Sequence, residues 1–226
     1  MNMTRIGFLT IGQSPRDDVM SEMKSLLSPD IEVVEFGVLD DLSPEEIDLL
    51  VPKAQEVPLV SQLRDGRQAL LSEKRISKLL SGAIDFMNTK MNVKAVGLLC
   101  SHEFSKKKYS CPVIFPAEYM KFIIDEILDV HKLGVVVPLD SQIEMTKRKW
   151  GIERTVVVSK SPYVQEKTWN DIADFLFEER VDTVILDCIG FKIQDRNKVY
   201  NLLNIPILLP RSVLIYALNQ VFCSLY

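Results

Sequence analysis

Two stretches of the chain read as copies of one another. VKAVGLLCSHEF (93–104) and VDTVILDCIGF (181–191) each carry an apolar strand into a cysteine, Cys100 and Cys188. Beyond each cysteine a strand bracketed by prolines leads into a long apolar helix: CPVIFPAEYMKFIIDEIL in the first half and IPILLPRSVLIYALNQVF in the second. Pro112 matches Pro206 and Pro116 matches Pro210, and the opening strands RIGFLT and KLGVVV also correspond. Buried parallel strands look alike in general. A shared proline bracket followed by similar helices favours duplication of one α/β unit.

The rest of the pattern agrees. Strands alternate with helical segments: 5–10, 31–36, 94–100 and 112–116 in the first half, then 132–137, 155–159, 182–188 and 206–210 in the second. Such alternation implies parallel sheets with crossover helices. Ser14-Pro15-Arg16-Asp17 reads as a capped helix start, as do Ser43-Pro44-Glu45-Glu46 and Ser161-Pro162, the last opening a helix through about Glu179. The halves differ over 57–71, where Asp65-Gly66 between two extended runs signals a β-hairpin. It would cover a cleft or pair with another subunit. The fold class is therefore α/β, with two pseudo-symmetric parallel-sheet units and an active cleft between them. Residues 1–117 with 211–226 would form the first unit and 118–210 the second.

Composition narrows the function. The net charge is −4 and the lone basic run, Lys106-Lys107-Lys108, is short, so no nucleic-acid partner is expected. No apolar run approaches the ~18 residues of a membrane span. The N-terminal apolar stretch lacks a cleavage pattern and reads as a strand, which points to a cytoplasmic protein with reduced thiols. Four cysteines without CxxC spacing, and histidines as far apart as His102 and His131, suggest neither a disulfide framework nor a metal site.

Ligands of open parallel sheets bind beyond the carboxyl ends of the strands. Cys100 and Cys188 both stand there, against the bland reading of two inert packed thiols. Gly12-Gln13-Ser14-Pro15-Arg16 follows the first strand: its backbone could receive an anion and Arg16 could clamp a carboxylate, or the segment could simply cap a helix. Asp140 and Ser141 form the equivalent loop of the second half, where Asp140 would bind a substrate amine or cap the helix. Ser101 and His102 follow the first cysteine, Ile189 and Gly190 the second, and Arg211 the last strand. His102 could assist the thiol or face solvent, and Asp187 could be structural or orient a neighbouring loop. Cys111 and Cys223 have no repeat partners and read as structural.

With these residues in view, the chain resembles the cofactor-independent aspartate/glutamate/hydantoin racemases, through VILDCIGF and more loosely LLCSHEF. TIGQSPRDDV, LGVVVP, LDCIGF and PILLP-R-S resemble, more narrowly, the AroM family. Racemases tend to carry Asn-Thr or Thr-His after the cysteine; here Ser101-His102-Glu103 and Ile189-Gly190-Phe191 stand in those places. The resemblance implies a racemase or isomerase, without cofactor, in which Cys100 and Cys188 exchange a proton α to the carboxylate or carbonyl of a small amino-acid-like substrate. A single-cysteine isomerase or decarboxylase, or a non-catalytic binder that kept the fold, are the alternatives. A homodimer or higher homo-oligomer is implied in the same way.

Overall fold

In the computed structural model, which describes residues 3–105, 107–164 and 166–222, the chain separates into two units. Unit 1 comprises residues 1–116 and 214–226, and unit 2 comprises 117–213.

Unit 1 is built on four parallel strands in the order β2-β1-β5-β6. These are β1 (Thr4–Thr10), β2 (Ile31–Gly37), β5 (Ala95–Leu99) and the two-residue β6 (Val113–Ile114). Every residue of β5 is buried, the outcome expected of an apolar strand covered on both faces. Helices α1 (Asp17–Lys24), α2 (Pro44–Asp48) and α3 (Glu73–Thr89) belong to this unit. Ile76, Leu80, Ile84 and Met87, spaced along one face of α3, join Leu9, Val96 and Leu98 in the core. Full burial of each such side chain contributes roughly 1.5–3 kcal/mol. The expected hairpin is present as β3 (Pro58–Gln62) and β4 (Gln68–Ser72), paired antiparallel. Gly66 sits at its tip with φ +83°, a conformation that favours glycine.

Unit 2 repeats the plan with strands β7 (Leu133–Val137), β8 (Thr155–Ser159), β9 (Thr183–Leu186) and β10 (Ile207–Leu208). Its order is β10-β9-β7-β8, again all parallel. Matching β7 to β1, β8 to β2, β9 to β5 and β10 to β6 gives the same strand order, so the internal repeat holds at the level of topology. Helix α4 (Pro116–Phe122) precedes β7, and α5 (Ile143–Trp150), α6 (Trp169–Glu178) and α7 (Ile193–Leu203) form the crossovers. Helix α8 (Pro210–Phe222) ends the described chain; its Asn219 donates to the Leu26 carbonyl and accepts from the Ser28 amide.

Two helix starts differ from the sequence expectation. Helix α1 begins at Asp17 after Arg16, without a side-chain cap. Ser14 does not cap it, because its hydroxyl and amide both bind Asp40 at 2.6 and 2.7 Å. Helix α6 begins at Trp169, not at Ser161-Pro162. Thr168 and Asp171 form its capping box, while Ser161 Oγ accepts from the amides of Tyr163 and Val164 in a local turn. Residues 160–164 and 166–168 lie in loop beyond the carboxyl end of β8. Ser43 does form its expected capping box with Glu46. Cys223 lies outside the described residues.

Candidate active site

The two cysteines occupy matching positions in their units and share one local geometry. Cys100 directly follows β5, and Cys188 follows β9 with Asp187 between. The Cys100 Sγ accepts a hydrogen bond from the His102 amide at 3.5 Å. The Cys188 Sγ accepts one from the Gly190 amide at 3.4 Å. In both, the chain turns back so that the second amide after the cysteine points at the sulfur. Both cysteines are more than nine-tenths buried, at 8% and 6% exposure. Ser101, Ile189 and Gly190 are buried with them.

The turns are braced differently. In unit 2, Arg211 lies in the first turn of α8, wholly buried. Its Nε and Nη2 donate to the Ile189 carbonyl at 3.1 and 2.7 Å. Arg211 therefore fixes the Cys188 turn through the Ile189 carbonyl, in place of the substrate contact expected from the sequence. Gly190 is held against Tyr163: a Cβ there would meet the Tyr163 hydroxyl at 2.6 Å. Asp187 turns to α5, where Lys149 Nζ lies 3.2 Å from its Oδ2. Its Oδ1 is buried and has no hydrogen-bond partner among the described residues. In unit 1, His102 Nε2 stands 4.0 Å from Glu73 Oε1 on α3, and its ring meets Phe104 edge-on.

The loop after β1 is filled by the protein's own acids. The Gly12 amide donates to Thr10 Oγ1 at 3.2 Å. Asp40, only 10% exposed at its side chain, accepts from the Ser14 amide and hydroxyl, from the Gly37 amide, and from Arg64 Nη2 at 2.7 Å. Arg16 is 3% exposed. Asp18 takes its Nε and Nη2 at 2.8 Å each, and its Nη1 reaches Thr10 and Ser61. The fork that was to clamp a substrate carboxylate thus already grips one from the chain, in the two-pronged geometry that suits a guanidinium. Likewise the Gly12 and Ser14 amides have protein acceptors. Gln13 takes part too: its Oε1 accepts from the Arg64 amide.

The hairpin belongs to this arrangement. Arg64, at its tip, donates to the Ser14 carbonyl as well as to Asp40. A Cβ on Gly12 would collide with Ser61 Oγ, and Gln62 O would lie 2.9 Å away. The hairpin therefore covers the β1 loop. Asp40, Ser61 and Arg64 were missed by the sequence reading.

In unit 2 the equivalent loop is open. Asp140 and Ser141 are exposed. Asp140 Oδ1 accepts from Ser159 Oγ, which in turn accepts from Lys167 Nζ at 3.0 Å. Cys111, in unit 1, is partly buried; burial first, then the Asp85 carboxylate, push its thiol pKa up. That is the behaviour of a packed thiol rather than a nucleophile. Among the described residues no cluster of three or more His, Cys, Asp or Glu could hold a metal ion. No described helix is long and apolar enough to cross a membrane.

With this geometry established, the fold can be placed. An unliganded arylmalonate decarboxylase is similar with a TM-score of 0.59 and 14% identity, over 97% of this chain and 92% of that one. A glutamate racemase from Francisella tularensis subsp. tularensis SCHU S4, in complex with D-glutamate, gives 0.57 and 15% over 100% and 85%. A maleate isomerase from Pseudomonas putida S16 gives 0.57 and 12% over 96% and 92%. At these identities the likeness defines the fold: two similar α/β units of the Asp/Glu racemase type. More narrowly, the chain belongs to the AroM family, described as AroM protein, whose family model matches residues 6–222. No curated protein matches it.

Proposed function

We propose that this chain is a cofactor-independent enzyme that moves a proton at a carbon α to a carboxylate or carbonyl of a small substrate, with Cys100 and Cys188 as acid and base. The observation that carries this reading is the matched pair of turns, each aiming a backbone amide at Sγ. An N–H directed at sulfur stabilises the negative charge of a thiolate. A thiol that merely fills a core has no need of such a donor twice over at equivalent positions.

In the proposed reaction one cysteine, as thiolate, takes the α-proton and becomes a thiol. The electron pair left on carbon delocalises into the adjacent carbonyl as an enolate. The other cysteine delivers its proton to the opposite face and becomes the thiolate, so that no external oxidant or reductant is needed. Arg211 acts through the Ile189 carbonyl to hold the Cys188 turn, and Asp40 and Arg64 hold the β1 loop. The similarity of the fold to racemase, isomerase and decarboxylase structures is consistent with this chemistry.

The test is α-hydrogen exchange in deuterated water over a panel of amino acids, hydroxy acids and dicarboxylic acids. Exchange with at least one class, lost in Cys100→Ser/Cys188→Ser, supports the reading. No exchange with any compound, or exchange untouched by the double substitution, refutes it. Loss in only one single variant would assign a one-cysteine reaction instead.

A further inference from the structure

A second site lies in unit 2, beyond the carboxyl end of β8. A cavity of about 440 Å³ is lined by Lys160, Lys167 and Lys198 together with Tyr163, Trp169 and Phe191. Its volume falls within the ~300–1,000 Å³ usual for small-molecule sites. Neither Cys100 nor Cys188 lines it.

Lys160 and Lys167 are held in place by neutral groups. Lys160 Nζ donates to the Lys167 carbonyl at 2.6 Å and lies 5.2 Å from the centroid of the Trp169 ring. Lys167 Nζ donates to the Ser159 carbonyl and hydroxyl, both at 3.0 Å. Lys198 is exposed and has no partner among the described residues. An ammonium has three N–H donors, so Lys160 keeps two and Lys167 one for another acceptor. No carboxylate among the described residues forms an ion pair with any of the three. Of the acids on the wall, Asp195 is engaged by Trp169 Nε1 at 2.9 Å and by the Lys192 amide at 2.8 Å. Glu166 is exposed at the rim.

Three lysines around one cavity, none paired with a carboxylate among the described residues, leave a positive local field that an anion at the site offsets. The aromatic wall adds a second requirement. The half-buried Trp169 and Tyr163 present aromatic surface beside the ammonium groups, and the wholly buried Phe191 backs Trp169 with ring centroids 5.6 Å apart. We infer that this cavity binds a small flat molecule carrying an oxyanion, a carboxylate or a phosphate, with Lys160 and Lys167 on the charge and Trp169 and Tyr163 against the body. This goes beyond the proton-transfer reading and does not depend on it.

The experiment is isothermal titration of the 226-residue chain with phenyl phosphate, benzoate, inorganic phosphate and neutral phenol. Saturable one-to-one binding of phenyl phosphate or benzoate is expected, with phenol at least tenfold weaker. Phenyl phosphate alone would mark a phosphate site, and benzoate alone a carboxylate site. Lys160→Met/Lys167→Met raises Kd tenfold or more, the exposed Lys198→Met raises it severalfold, and Cys188→Ser leaves it unchanged. Circular dichroism verifies that the variants fold, and Lys198→Met carries the test if the double variant does not. Failure of both aromatic anions to bind, phenol binding as well as they do, inorganic phosphate binding better than phenyl phosphate, or affinity indifferent to the lysines would overturn the inference. Because Cys188→Ser retains binding here, failure of this site is distinguishable from failure of the catalytic reading.

Discussion

The loop after β1 and the loop after β7 occupy the same place in two copies of one topology, and they are built in opposite ways. The first is sealed: Asp40 gathers four donors, Arg16 is gripped by Asp18, and the hairpin closes over Gly12. The second is open, with Asp140 and Ser141 exposed. The cysteine turns differ in the same spirit. Arg211 braces the Cys188 turn, whereas the position that matches it after the first proline bracket is Ala117, too short to reach a carbonyl. What the copies retain in common is the amide-to-sulfur bond. The two units share one scaffold, and each stabilises a different part of its edge.

The largest effect that would break this contrast is expected at Asp40. Asp40→Ala leaves the Ser14 and Gly37 amides and Arg64 Nη2 without the acceptor they share, and should cost about 3 kcal/mol of unfolding free energy. A change in the open loop, Ser141→Ala, should stay within about 0.5 kcal/mol. Urea denaturation of both variants checks the pair; equal costs would mean that the two loops are not differently built.

Arg211→Met comes next. It strands the Ile189 carbonyl and should cost about 2 kcal/mol, with faster amide hydrogen exchange at Gly190 and Phe191 than at His102. Uniform acceleration at both cysteine turns would contradict a brace specific to unit 2.

The smallest effect concerns Cys111. Because burial and Asp85 raise its pKa, its thiolate fraction is suppressed at neutral pH and grows only as pH rises through the raised value. Iodoacetamide labelling followed by peptide mapping should show Cys111 slow at pH 7 and accelerating above the range of an ordinary thiol. Rapid labelling at pH 7 would remove the distinction between this thiol and a functional one.

Much of the architecture was legible because buried parallel strands and proline brackets are local signals. The strand–helix alternation, the hairpin at Asp65-Gly66 and the Ser43 capping box all follow from neighbours in sequence. The sealed loop was not legible. Ser14 reads as a cap by its local pattern, yet Asp40, 26 residues away, outcompetes that role once β1 and β2 pair and bring the two loop ends together. Arg16 reads as a substrate clamp until Asp18, two residues on, claims its fork. The start of α6 did leave a signal: Thr168-Trp169-Asn170-Asp171 is a capping pattern ahead of an apolar periodic run. Ser161-Pro162 mimics one but closes only a turn. The two cysteine positions were readable from the repeat, while the amide-to-sulfur bonds depend on backbone turns that residue types alone do not specify.

The central claim is that the two cysteines divide one proton transfer between them. Its most direct test is α-deuterium incorporation in deuterated water, followed separately for each enantiomer of an active substrate, in the wild type and in Cys100→Ser and Cys188→Ser. The account predicts that the wild type exchanges both enantiomers. Each single variant should exchange only the one whose α-proton faces the remaining cysteine, without racemisation. Two variants that behave alike, or either one that still exchanges both enantiomers, would contradict it.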